Sequence, residues 1–168
     1  ETGMSLYNWS VGSGGIITSG IGTAVILVRW TQSGFRTVTV NYANPQTGCQ
    51  ALTPVVFPVT VNPLPAPVIT GPSTVCEGST GVVYFTDPGM SNYAWVVSSG
   101  GIITAGNGTR TITVSWITPG TQTLTVNYTN TLGCQTSSQT VKNVWVSPYP
   151  VPSIQGPSQP CTAGVFNY

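Results

Sequence analysis

The sequence predicts an all-β chain made of two-sheet sandwiches of about 85 residues, repeated in tandem. Three observations carry that expectation. Apolar and polar residues alternate with period two in run after run, which places alternate side chains on opposite faces of a sheet. Turn-forming clusters of Gly, Pro, Asn and Asp recur every 8–15 residues, the spacing of a sandwich. The chain also matches itself at an offset of 86, since 25 of the 44 positions in 1–44 are identical to those in 87–130.

The complete repeat can be followed strand by strand. Strands are expected near 67–70, 81–86, 92–98, 101–105, 109–116, 121–129 and 138–147. The clearest are Thr111–Trp116 (TITVSW) and Thr123–Tyr128 (TLTVNY), both strictly alternating. Asp87-Pro88-Gly89, Gly106-Asn107-Gly108, Pro119-Gly120 and Asn130–Gly133 supply the punctuation between them. No stretch has the 3.6-residue periodicity of a helix. Seven strands in about 85 residues is the count of an immunoglobulin-like sandwich.

The repeat also sets the domain organisation. After residue 44 the offset falls to 85, so that Cys49 matches Cys134, and PVITGPSTVC (67–76) matches PSIQGPSQPC (152–161). Proline-rich stretches at Pro63–Pro67 and Pro148–Pro152 mark the boundaries, because proline fixes φ and stiffens a connector. Residues 65–148 then form one whole repeat. Residues 1–64 form a repeat lacking its opening strands, and 149–168 carry the opening strands of a following one. The last segment is a candidate donor for the vacant positions of 1–64 in a neighbouring chain or copy.

Composition removes most chemistry. Charged residues are 4% of the chain, against about 25% in an ordinary soluble domain. There are four cations, three carboxylates (Glu1, Glu77, Asp87) and no histidine. Without histidine there is no Ser-His-Asp or Cys-His relay and no histidine-ligated metal. A net charge of +1 spread over four separated cations cannot neutralise a run of phosphates, so nucleic acid is not an expected partner. No apolar run approaches the 18 or so residues of a membrane span. The reading is therefore of a non-enzyme with no cofactor, no metal and no membrane insertion. Its surface of Thr, Ser, Asn and Gln suits an extracellular or cell-surface location.

The order Cys76-Glu77-Gly78-Ser79, Tyr93-Ala94-Trp95, Gly100–Ile103, Thr111–Trp116, Thr125–Tyr128 and Gly133-Cys134 resembles the PKD-like, immunoglobulin-like tandem repeats of Bacteroidetes surface proteins. These include gliding-motility adhesins and other type IX-secreted filament proteins. The resemblance implies a structural or adhesive module of an extracellular filament or adhesin stalk. Its partners would be copies of itself head to tail, by covalent tandem or strand exchange, together with surface glycans or other cells. The rival expectation is a non-catalytic carbohydrate- or protein-binding module of a larger secreted protein.

Candidate site residues follow. Four cysteines in an oxidising compartment are expected to pair. The favoured intra-repeat bond joins Cys76 to Cys134, a 58-residue separation whose closure would add about 4 kcal/mol. It leaves Cys49 and Cys161 to partners in a neighbouring copy or chain, or to each other between chains. The alternative, Cys49 with Cys76 and Cys134 with Cys161, spans 27 residues in both cases. Trp9, Trp30, Trp95 and Trp116 stand at equivalent positions of the repeats and are expected in the core. Trp145 and Tyr149 have no such counterparts and are candidate contact residues. Glu77 and Asp87 are not expected to form a hydrolytic pair, and Asp87 is read as a turn residue.

Overall fold

The computed structural model describes residues 2–159 and 162–167. Strands and turns are the only regular structure among them. In chain order the strands are β1 (Ser5–Val11), β2 (Gly15–Ser19), β3 (Leu27–Trp30), β4 (Gly34–Ala43), β5 (Val55–Val61), β6 (Thr74–Cys76), β7 (Val82–Phe85), β8 (Ser91–Val97), β9 (Gly101–Ala105), β10 (Thr111–Trp116), β11 (Gly120–Thr129) and β12 (Thr140–Ser147). They form two compact units. The first comprises residues 1–65 with Thr129–Thr136, and the second Ala66–Tyr128 with Ser137–Tyr168.

The second unit is a two-sheet sandwich. One sheet has the order β7-β10-β9 and the other β6-β12-β11-β8. Alternation along β10 and β11 sends Ile112, Val114, Trp116, Leu124 and Val126 inward, where each is fully buried. Tyr84 of β7 closes over them, its ring edge-on to Trp116 at 6.2 Å and 83°. Trp95, Val144, Val146 and Ile69 complete the core. Gly101 lies directly under the Trp116 ring, where a Cβ would come within 2.7 Å of it.

One expectation for the opening segment is corrected, and one strand is added. Residues 67–70 do not form a strand; only Thr70 bridges, to Phe85. The segment instead reaches β6, a three-residue strand that pairs parallel with β12, Thr74 beside Trp145 and Cys76 beside Ser147. The chain then crosses sheets, with Gly78 donating to the Trp116 carbonyl and Trp116 donating to the Ser79 carbonyl. Three residues are too few to carry a period-two signal.

The first unit repeats this framework in part. Its sheets are β1-β4-β5 and β2-β3, the counterparts of β8-β11-β12 and β9-β10. Fine detail is reproduced. Trp9 Nε1 donates to Thr23 O at 2.8 Å, as Trp95 Nε1 does to Thr109 O at 2.9 Å. The pair Tyr7–Tyr42 (5.7 Å) mirrors Tyr93–Tyr128 (5.9 Å). Among the described residues of the first unit there is no counterpart of β6 or β7.

Candidate functional site

The first unit is open where the second is closed. Ile26, Val28, Trp30, Val38 and Val40 correspond to Ile112, Val114, Trp116, Leu124 and Val126. The latter five are fully buried, the former only partly. Between them and β5 runs an apolar groove of about 470 Å³, lined also by Val55, Phe57 and Val59. In the second unit the matching space is filled by Tyr84 and Ile69, with Val75 and Val82 packed against them. Two backbone edges border the groove. β3 bonds β2 on one side only, and β5 bonds β4 on one side only. A free strand edge is a row of unpaired N–H and C=O groups that another strand can match.

The final segment carries the complementary pattern. Ile154 stands where Ile69 stands in the matched sequences, yet Ile154 is 83% exposed and Ile69 only 9%. Val165, four residues beyond Cys161, is 98% exposed; Val82 follows Cys76 by six. Residues 151–159 and 162–167 form no strand.

The second unit holds its own opening segment with a polar latch. Asp87 Oδ2 accepts hydrogen bonds from Val68 N (3.1 Å) and from the Tyr128 hydroxyl (2.9 Å). The Asp87 carbonyl accepts from the Tyr93 hydroxyl at 2.9 Å, and Thr140 Oγ1 donates to the Pro67 carbonyl at 2.8 Å. Burial, reinforced by the bond to Asp87 and its charge and by Tyr93, pushes the Tyr128 phenol up to about 12. Asp87 is thus more than a turn residue. The signal for this was the recurrence of an acid and a tyrosine at matched positions, Glu1 with Tyr42 and Asp87 with Tyr128. Glu1 lies outside the described residues.

No disulfide joins cysteines among the described residues. Cys49, Cys76 and Cys134 carry free thiols, and Cys161 lies outside the described residues. Cys76 sits beside Ser147, at the end of the sheet where Gly120 pairs with Val146. Cys134 follows the far end of β11, in a turn where its N–H bonds Asn130 Oδ1 at 2.9 Å. Cys134 belongs to the segment Thr129–Thr136 that groups with the first unit, whereas Cys76 belongs to the second, and the Cys76 and Cys134 thiols are free. Cys49 occupies the matching turn of the first unit, its carbonyl accepting from Asn44 N.

Trp95 and Trp116 are core residues, whereas Trp9 and Trp30 border the groove. Trp145 is 49% exposed on the outer face of β12, and Tyr149 is also exposed. The two are not brought together as a shared platform by any contact in the described structure. Tyr149 N instead donates to Glu77 Oε2 at 3.3 Å. Glu77 therefore lies beside the chain's exit from the second unit, while Asp87 lies beside its entry. No cluster of three metal-ligating side chains occurs among the described residues.

Comparison with known families agrees with this architecture. The family model for the PKD-like domain matches residues 1–56 and again residues 62–144. No curated protein is detectably similar to the chain.

Proposed function

Because the chain belongs to the PKD-like domain family, a family of generally non-catalytic, typically extracellular immunoglobulin-like modules, we propose that it is a structural and adhesive module of an extracellular filament or cell-surface stalk, repeated head to tail. The setting would be that of Bacteroidetes surface adhesins. The observation that carries this reading is the direction of the chain through the second unit. It enters at Pro67, held by Thr140 at the start of β12, and leaves after Ser147 at that strand's other end. Each such module advances the chain by about one strand length, roughly 25 Å at 3.3 Å per residue, so successive modules extend an array. The test is electron microscopy of the full chain over a concentration series. Linear particles lengthening with concentration are expected, and compact clusters would refute the reading.

A second reading rests on Trp145. Its half-exposed indole lies between Thr74 and Thr121 on neighbouring strands, an aromatic face with a threonine on either side that suits a sugar. Glycan-array binding that is lost in Trp145→Ala would favour this alternative.

A further inference from the structure

We propose that the groove of the first unit is a receptor for residues 149–168 of a second copy of this chain, docked in the positions that residues 64–83 occupy in the second unit. This deepens the head-to-tail reading by specifying its junction. The second unit displays the finished state. There, β7 pairs antiparallel with β10, Tyr84 opposite Ile112 and Val82 opposite Val114. Ile69 and Tyr84 then seal the core. The same ladder transferred by the 86-residue offset falls on Ile26, just before β3, and on Val28 within it, and the outer edge of β3 is unpaired. β6 finds its equivalent along the free edge of β5.

The occupant is identified by sequence and exposure together. Residues 152–161 match 67–76 at Pro, Ile, Gly, Pro, Ser and Cys. One of these, Gly156, stands where Gly71 adopts φ +148 and where a Cβ would come within 2.3 Å of Tyr84. A glycine retained at that position keeps the backbone free to take the positive φ that the opening segment adopts there. Ile154, Val165 and Phe166 present apolar side chains with little or partial cover. An incoming strand gains main-chain bonds from the open edges and places alternate side chains in the groove. The contact is heterologous, so each added copy presents a fresh groove and a fresh segment, and assembly continues linearly.

Exposed positions make the proposal testable without disturbing either unit. Ile154→Asp with Val165→Asp places charges on the donor, and Val55→Asp on the groove. Val55 is itself exposed, and it corresponds to Thr140, whose hydroxyl bonds the Pro67 carbonyl. A carboxylate there faces the incoming carbonyl, whereas Val55→Thr restores the donor hydroxyl. Light scattering of the full chain, kept reduced, should show concentration-dependent assembly. The donor double variant should require a concentration roughly a hundredfold higher, and Val55→Thr one about fivefold lower. Mixing the donor variant with Val55→Asp should give dimers that grow no further, because one intact groove and one intact segment remain between them. Assembly by the donor variant equal to that of the unaltered chain would overturn the proposal. So would monomers at every concentration, including those in which the segment folds back onto its own chain. Linear fibres that persist in the donor variant would leave the head-to-tail array standing while eliminating this junction. Compact clusters abolished by the donor variant would do the reverse.

Discussion

Trp116 and Trp30 are one residue in two environments, and alanine at each should measure what a missing lid is worth. Trp116 is fully buried, resting on Gly101 and capped by the edge of Tyr84. An aromatic of this size buries up to about 250 Å², near 6 kcal/mol at roughly 25 cal/mol per Å². Alanine keeps part of that contact, and measured Trp→Ala costs run at about 3–5 kcal/mol. Trp30 has the same floor, Gly15, but nothing in the place of Tyr84. It gives up as much as about a third of the burial, being only partly covered, together with an edge-to-face contact of roughly 0.5–1.5 kcal/mol. Trp30→Ala should therefore cost about 2 kcal/mol. The measurement is urea-dependent hydrogen exchange on the donor-blocked full chain, read separately in peptides from β3 and β10. Equal losses in the two units would refute the reasoning, because the groove would then be as closed as the finished core.

Three further outcomes are expected. Tyr128 holds its proton in the folded chain up to about 12, while the unfolded phenol releases it near 10. Between those values the unfolded state binds fewer protons, so stability is intact below about pH 10 and falls as pH rises toward 12. Tyr84, also pushed up by burial, adds to the effect; thermal melts of Tyr128→Phe should show a shallower alkaline decline, and an unchanged one would count against the latch. Gly71→Ala should destabilise the second unit by about 2 kcal/mol or more, since it meets both a left-handed φ of +148 and the Tyr84 ring; Gly108→Ala, where nothing lies within 4 Å, should cost about 1 kcal/mol in the same denaturation assay. Thiol labelling of the reduced native chain should modify Cys49, Cys76 and Cys134 readily. Peptide maps after mild oxidation should contain no Cys76–Cys134 crosslink within a chain, and recovering one would overturn the strand register described here.

Much of the fold is legible in the residues because a sandwich strand writes its burial into every second position. Thr111–Trp116 alternates without exception, and the structure buries Ile112, Val114 and Trp116 in step. β6 was not legible, because its three residues are stabilised by parallel pairing with β12, a partner some 70 residues away. The cysteines misled for a related reason. Spacing reports how long a loop is but not which unit each terminus joins, and Cys134 falls in the segment Thr129–Thr136 that groups with the first unit while Cys76 stays with the second. The latch on Asp87 was hidden by an ordinary turn motif, since Asp-Pro-Gly explains itself without any distant tyrosine.

The parallel pairing of β6 with β12 has a mechanical consequence. Tension applied along the backbone pulls β6 back toward Pro67 and draws β12 out through Ser147, in opposite directions along their common axis. The bonds from Trp145 N to Ser73 O (2.8 Å) and from Glu77 N to Ser147 O (2.7 Å) are then loaded together in shear. They must yield as a group, whereas strands pulled apart from one end would unzip bond by bond. A small patch of backbone thereby becomes the element that decides how much force the unit bears before it lengthens.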